Sequence, residues 1–125
     1  MYDKELAVEI LEQIYHSTEK IQKRFEPINS PDDFTHSNEG QEKLDAICMQ
    51  LITIGESLKN LDKVTGNSLL PSYPEVEWKK AMALRDIISH HYFDINVEAI
   101  FEVCETHIGK LAKTIQKILN DLSRK

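Results

Sequence analysis

Residues 85–94, with the sequence RDIISHHYFD, place an arginine, two histidines and a tyrosine in one short run. Imidazole accepts and donates protons near neutral pH, and a guanidinium stays charged and can bind two oxygens of one phosphate. An arginine and histidines in one cluster could therefore form a catalytic constellation that acts on a phosphate. The competing interpretation is structural, because Arg85 could instead form a surface ion pair with Asp86 or Glu56.

A metal site is a second chemistry to consider, since the chain has five histidines and two cysteines. Cys104 and His107 lie one helical turn apart, but a zinc site needs about four ligands and no second pair has suitable spacing. His90 and His91 are adjacent, so on a helix their side chains point roughly 100° apart. The sequence therefore favours a site without metal.

The spacing of apolar residues predicts four amphipathic helices that must position this run. The first helix carries an apolar stripe that reaches Phe25. The second begins after an N-cap at Ser37 or Asn38 and ends near Gly66.

The remaining two helices flank the polar run. Pro74 fits the first turn of the third helix, which is expected to continue to about His91. Asn96 is a suitable N-cap for the fourth helix. Four helices with one apolar stripe each predict an all-α, antiparallel four-helix bundle, formed as a single domain by residues 1–125.

The third helix has two stripes of different character. The stripe expected to face the core contains Ala81, Leu84, Ile88 and His91. The second stripe contains Trp78, Arg85, Ser89 and Tyr92. Because a tryptophan on the second stripe needs cover, we expect either a second copy of the chain or the first helix to pack against it.

Composition limits the class of protein. The chain of 125 residues has a net charge of −6, which is not typical of nucleic-acid binders with a basic stripe. No apolar run approaches the roughly 20 residues that span a bilayer. The N-terminus is charged and the two cysteines are not closely spaced, so we expect a cytoplasmic protein with reduced thiols.

Two segments of the sequence resemble a known family. Residues 85–92 match the pattern R-x-x-x-x-H-x-Y, which is similar to the signature of HEPN-domain ribonucleases. Residues 73–96, YPEVEWKKAMALRDIISHHYFDIN, resemble the HepT toxins of HepT/MntA toxin–antitoxin pairs. Residues 51–61, LITIGESLKNL, are similar to the Ile-Gly-Glu segment of the second helix in those toxins.

The resemblance implies a HEPN-like bundle that acts as a homodimeric, metal-independent RNA endonuclease without a cofactor. It implies that Arg85 and His90 are catalytic, that Tyr92 is the third signature residue, and that Glu56 can support them. Asp86 lies one helical turn before His90, so it could hold the imidazole by a hydrogen bond and fix its tautomer, or it could bind Arg85 or a donor of a partner chain. It also implies a minimal nucleotidyltransferase antitoxin, which inactivates the toxin by transferring AMP from ATP to Tyr92. His91, at an unspecified position of the signature, has no role that the resemblance assigns.

Two other functions are compatible with the same residues. The first is a catalytically inactive helical module that dimerises and docks a nucleotidyltransferase, with Arg85 and His90 serving only the interface. The second is a histidine phosphotransfer bundle, which fits less well because such a site needs an exposed histidine in the middle of a helix. Growth inhibition by the chain expressed alone would distinguish a toxin from a docking module.

Overall fold

The computed structural model describes residues 2–124, except for the side chain of Tyr92. The described residues form the helices α1 (Lys4–Phe25), α2 (Asn38–Val64), α3 (Trp78–His90), α4 (Val97–Glu102) and α5 (Ile108–Ser123). A π-helical segment, Val103–His107, joins α4 to α5, so that the two form one continuous fourth helix. The predicted all-α four-helix bundle is confirmed.

Side-chain caps fix three of the helix starts. Asp3 accepts a hydrogen bond from the backbone N–H of Leu6, and Ser37 accepts one from Gly40 at 3.0 Å. Asn96 accepts one from the backbone N–H of Ala99, as predicted for the fourth helix. These bonds satisfy backbone donors that a helix leaves unpaired in its first turn.

The core lies between α1, α2 and the fourth helix, and α3 packs mainly on α2. Leu11, Ile47 and Ile115 are among its fully buried side chains. On α3, Ile88 is fully buried, whereas Ile87 is 55% exposed. This helix therefore has one face anchored in the core and another, at Ile87, that remains exposed.

The start of α3 differs from the prediction at Pro74. The helix begins at Trp78, and residues 73–77 form a turn before it. The indole N–H of Trp78 donates a hydrogen bond to the backbone carbonyl of Tyr73 at 2.8 Å. Only 9% of Trp78 is exposed, so its own chain buries it and no second copy is needed to cover it.

The expectation that His91 faces the core is wrong. The α-helix ends at His90, and His91 is the C-cap with φ −124° and ψ 28°. A residue with these angles no longer follows the 100° rotation on which the face assignment depended. His91 is exposed to solvent as a result.

Candidate active site

The candidate site lies where α3 crosses α2 at Gly55. A Cβ atom added to Gly55 would lie 2.8 Å from Cβ of Arg85 and 3.2 Å from the carbonyl oxygen of Met82. Real Cβ atoms do not tolerate the first distance, so only glycine allows this approach. Gly55 thus brings Glu56, the next residue on α2, within reach of Arg85.

Arg85 is held by two carboxylates from two helices. Its Nε forms an ion pair with Oε1 of Glu56 at 3.1 Å, and its Nη1 donates a hydrogen bond to Oδ1 of Asp86 at 3.0 Å. The Arg85 side chain is 40% exposed, so the guanidinium remains accessible from solvent. Glu56 and Asp86, the two partners that the sequence suggested, both contact Arg85. Together they hold the guanidinium in one position.

Asp86 links the arginine to a second cation. Its Oδ2 accepts a hydrogen bond from Nζ of Lys59 on α2 at 3.3 Å, while Oδ1 binds Arg85. The hydrogen bond from Lys59, followed by its positive charge and then by Arg85, lowers the pKa of Asp86 below its ordinary value. Asp86 is therefore a carboxylate shared by two cations at neutral pH.

The backbone of Asp86 also orients His90. Nδ1 of His90 lies 2.8 Å from the carbonyl oxygen of Asp86, one helical turn earlier. A carbonyl oxygen only accepts hydrogen bonds, so Nδ1 carries the proton in this contact. In a neutral ring, Nε2 is then the nitrogen with a free lone pair, and it belongs to a solvent-exposed residue.

Tyr92 and Phe93 begin the 3-10 turn that follows α3. The side chain of Tyr92, the third signature residue and the expected acceptor of AMP, lies outside the described part of the structure. The ring of Phe93 is 97% exposed. An aromatic ring of this exposure lies immediately after the signature, at the end of the helix that carries Arg85 and His90.

Lys59 is the site residue whose place was not predicted. From the sequence alone Lys59 is expected to be a solvated lysine that could guide RNA toward the site, whereas the structure pairs it with Asp86 between the two helices. The available signal is its spacing, because Glu56 and Lys59 are three residues apart and share one face of α2. The four side chains, Glu56, Arg85, Asp86 and Lys59, form what we call the cross-helix network.

An apolar cleft of about 390 Å³ lies beside α3, away from the cross-helix network. Leu84 and Ile87 line one side and Val103 and Ile108 the other, with charged side chains such as Lys80 at its edge. The cleft exists because α3 packs mainly on α2 and leaves a gap toward the fourth helix.

The described residues contain no group of three or more His, Cys, Asp or Glu side chains that could hold a metal ion. Cys48 and Cys104 are both buried and reduced. Within residues 2–124, no helix has the length and apolar character required to cross a bilayer.

Comparison with known proteins identifies the relatives of this chain. The model of the family described as "Ribonuclease HepT-like" matches residues 14–118. The chain is 36% identical over 77 residues to "Putative RNase MJ0127" of Methanocaldococcus jannaschii, covering 62% of this chain and 60% of that protein. No solved structure matches significantly.

Two further relatives show how much of each protein the similarity covers. "Gamma-glutamylcyclotransferase and putative RNase MJ0434" of the same organism is 31% identical over 114 residues, which are 91% of this chain and 48% of that protein. "Probable ribonuclease HepT" of Thermococcus cleftensis is 27% identical over 73 residues, which are 58% of this chain and 63% of that protein. The chain thus spans about half to two thirds of the length of these relatives.

Proposed function

Because this chain belongs to the HepT-like ribonuclease family, we propose that it is a metal-independent RNA endonuclease and the toxin of a toxin–antitoxin pair. The observation that supports this most directly is the arrangement around Asp86. Its carboxylate holds Arg85, and its carbonyl holds His90. A phosphate-binding cation and a proton-transfer group are thereby oriented by one residue at the open end of α3.

In the proposed reaction, Nε2 of His90 accepts the proton of a ribose 2′-OH. The 2′ oxygen then attacks the adjacent phosphorus, and Arg85 stabilises the additional negative charge on the phosphate oxygens. The bond from phosphorus to the 5′ oxygen breaks, and that oxygen takes a proton. The products are a 2′,3′-cyclic phosphate and a 5′-hydroxyl.

A second imidazole can supply the proton to the leaving oxygen. In a homodimer with the sites at its interface, His90 of the second copy would serve as the acid while the first serves as the base. We propose this homodimer on the basis of family membership. The exposed side chains of Ile87 and Phe93, on α3 and on the turn that follows it, offer apolar surface for it.

The proposed regulation acts on Tyr92. A minimal nucleotidyltransferase would transfer AMP from ATP to the phenolic oxygen of Tyr92, with pyrophosphate as the leaving group. The added phosphate would compete with RNA for Arg85, because a guanidinium binds either one. The whole system would operate in the cytoplasm.

The test is cleavage of total cellular RNA by the purified, unmodified protein in EDTA. We expect wild type to cleave, and Arg85→Ala and His90→Ala each to lose the activity. His107→Ala is the matched control, because it removes an exposed imidazole from the fourth helix, and it should cleave like wild type.

Failure of the folded wild type to cleave, with Tyr92 shown by intact mass to carry no AMP, would contradict the ribonuclease proposal. The docking module would then be favoured over the toxin. Addition of one AMP by the cognate nucleotidyltransferase, lost in Tyr92→Phe, tests the regulation separately.

A further inference from the structure

Lys59 is partly exposed, yet it is paired with a carboxylate of another helix. It lies on α2, 27 residues from Asp86 in sequence, and still makes an ion pair with it at 3.3 Å. The Lys59 side chain remains 45% exposed. A flexible ammonium group is therefore held at the open face of the site and remains in contact with solvent.

Arg85 and Lys59 are linked through a single carboxylate. Arg85 binds Oδ1 of Asp86 and Lys59 binds Oδ2. Because the two oxygens belong to one group, the two cationic nitrogens are close enough to contact the same short stretch of an RNA backbone. The site thus holds two cations on one carboxylate, which carries a single negative charge like that of a backbone phosphate.

We propose that Lys59 is a second phosphate-binding residue of the active site, which exchanges Asp86 for a backbone phosphate when RNA binds. The proposal rests on the proposed ribonuclease function and names a further part of its substrate site. Arg85 takes the phosphate that reacts, and Lys59 takes a neighbouring one. The exchange is feasible because exposed ion pairs are weak and each partner stays hydrated.

Because Glu56 also pairs with Arg85, the site needs a second cation to bind RNA. Two carboxylates, Glu56 and Asp86, compete with a phosphate for the one guanidinium of Arg85. Lys59 pairs with Asp86 and balances its charge. Without Lys59, the site would present one cation surrounded by two anions, which would oppose the approach of RNA.

The measurement is the salt dependence of RNA binding, made in a His90→Ala background so that the RNA stays intact. Binding of a fluorescent single-stranded RNA is followed by anisotropy at several salt concentrations. Each phosphate contact to single-stranded nucleic acid contributes a slope of about −0.7 to log K against log salt concentration. We expect Lys59→Met to weaken binding and to make the slope shallower by ~0.7 or more.

The controls separate binding from structure. Lys59→Arg keeps the charge and the donors, and it should restore the wild-type slope. Lys20→Met removes an exposed lysine from α1, so it should leave the slope unchanged. Lys59→Gln serves as a second neutral variant, and urea unfolding checks that both neutral variants are folded.

The outcomes are distinguishable. RNA binding with an unchanged slope in both folded neutral variants would overturn the role of Lys59 and leave the ribonuclease proposal intact. Absence of RNA binding by the His90→Ala parent, together with absence of cleavage by wild type, would contradict the proposed function and this inference with it.

Discussion

Asp86 contacts three residues of the site, through its side chain and through its backbone carbonyl. The side chain joins Arg85 to Lys59, and the carbonyl oxygen orients His90. The sequence could indicate Asp86 as a supporting residue, since it lies one turn before His90. It could not indicate that the bond to His90 comes from the backbone, because that depends on the ring's rotamer.

The pKa of Asp86 should rise when Lys59 is replaced by methionine. Lys59 is the main cause of its lowering, so without it only Arg85 continues to favour the ionised form. A lowered pKa in the folded state adds stability above the ordinary aspartate range and loses it as the pH falls through the folded value. The carboxyl carbon chemical shift of Asp86, followed by NMR against pH, measures the change. An identical titration in wild type and Lys59→Met would contradict the ion pair.

Neutral His90 should carry its proton on Nδ1. The carbonyl of Asp86 selects that tautomer because it can accept a hydrogen bond but cannot donate one. Nitrogen-15 chemical shifts of the ring, recorded at alkaline pH, distinguish the two tautomers. The chain unfolded in urea is the reference, because it has no fixed acceptor, and the same mixture in both states would disprove the orientation.

At the scale of the helices, the approach of α2 and α3 determines the site, and Gly55 determines the approach. Gly55→Ala should lower the free energy of unfolding by ~1–3 kcal/mol, the usual cost of overpacking. It should also separate Arg85 from Glu56 and reduce RNA cleavage, since the added Cβ would lie 2.8 Å from Cβ of Arg85. Urea unfolding and the cleavage assay measure the two effects.

Gly109→Ala is the matched control on α5. The nearest atom to an added Cβ is Nε2 of Gln22 at 3.8 Å, which is an ordinary contact. Alanine is favoured over glycine within helices, so this variant should gain ~0.5–1 kcal/mol of stability. Equal stability changes in Gly55→Ala and Gly109→Ala would show that close packing at Gly55 is unimportant.

Apolar spacing predicted the helices well, but it did not predict how two of them are interrupted or shortened. The π-helical segment Val103–His107 keeps an apolar stripe running from Ile100 to Ile108, so the pattern looks like one regular helix. The late start of α3 depends on the bond from Trp78 to the carbonyl of Tyr73. That bond joins a side chain to the backbone five residues earlier, and apolar spacing does not report such a contact.

At the scale of the whole molecule, one core encloses both thiols. Burial, with the charge of Asp45 adding to it, raises the pKa of Cys48 to about 11. Burial, with a smaller contribution from Cys48, raises the pKa of Cys104 to about 12. Because the thiolate is the reactive form, neither residue should react readily in the native protein.

The expected result is slow modification of both thiols by a disulfide reagent at neutral pH, and rapid modification of both in urea. The time course of absorbance, with and without denaturant, measures this difference. Rapid modification of either cysteine in the native state would show that the core opens readily. The sequence predicted reduced thiols from their spacing, and their burial now supplies the physical reason.

The charge balance of the cross-helix network has a consequence for kinetics. Two carboxylates face two cations in this network, and the whole chain carries −6, so little long-range field draws RNA toward it. Encounter should therefore proceed at the roughly 10⁵–10⁶ M⁻¹ s⁻¹ typical of association without electrostatic steering. Salt would then act mainly on how long RNA stays bound, because the phosphate contacts form only after arrival.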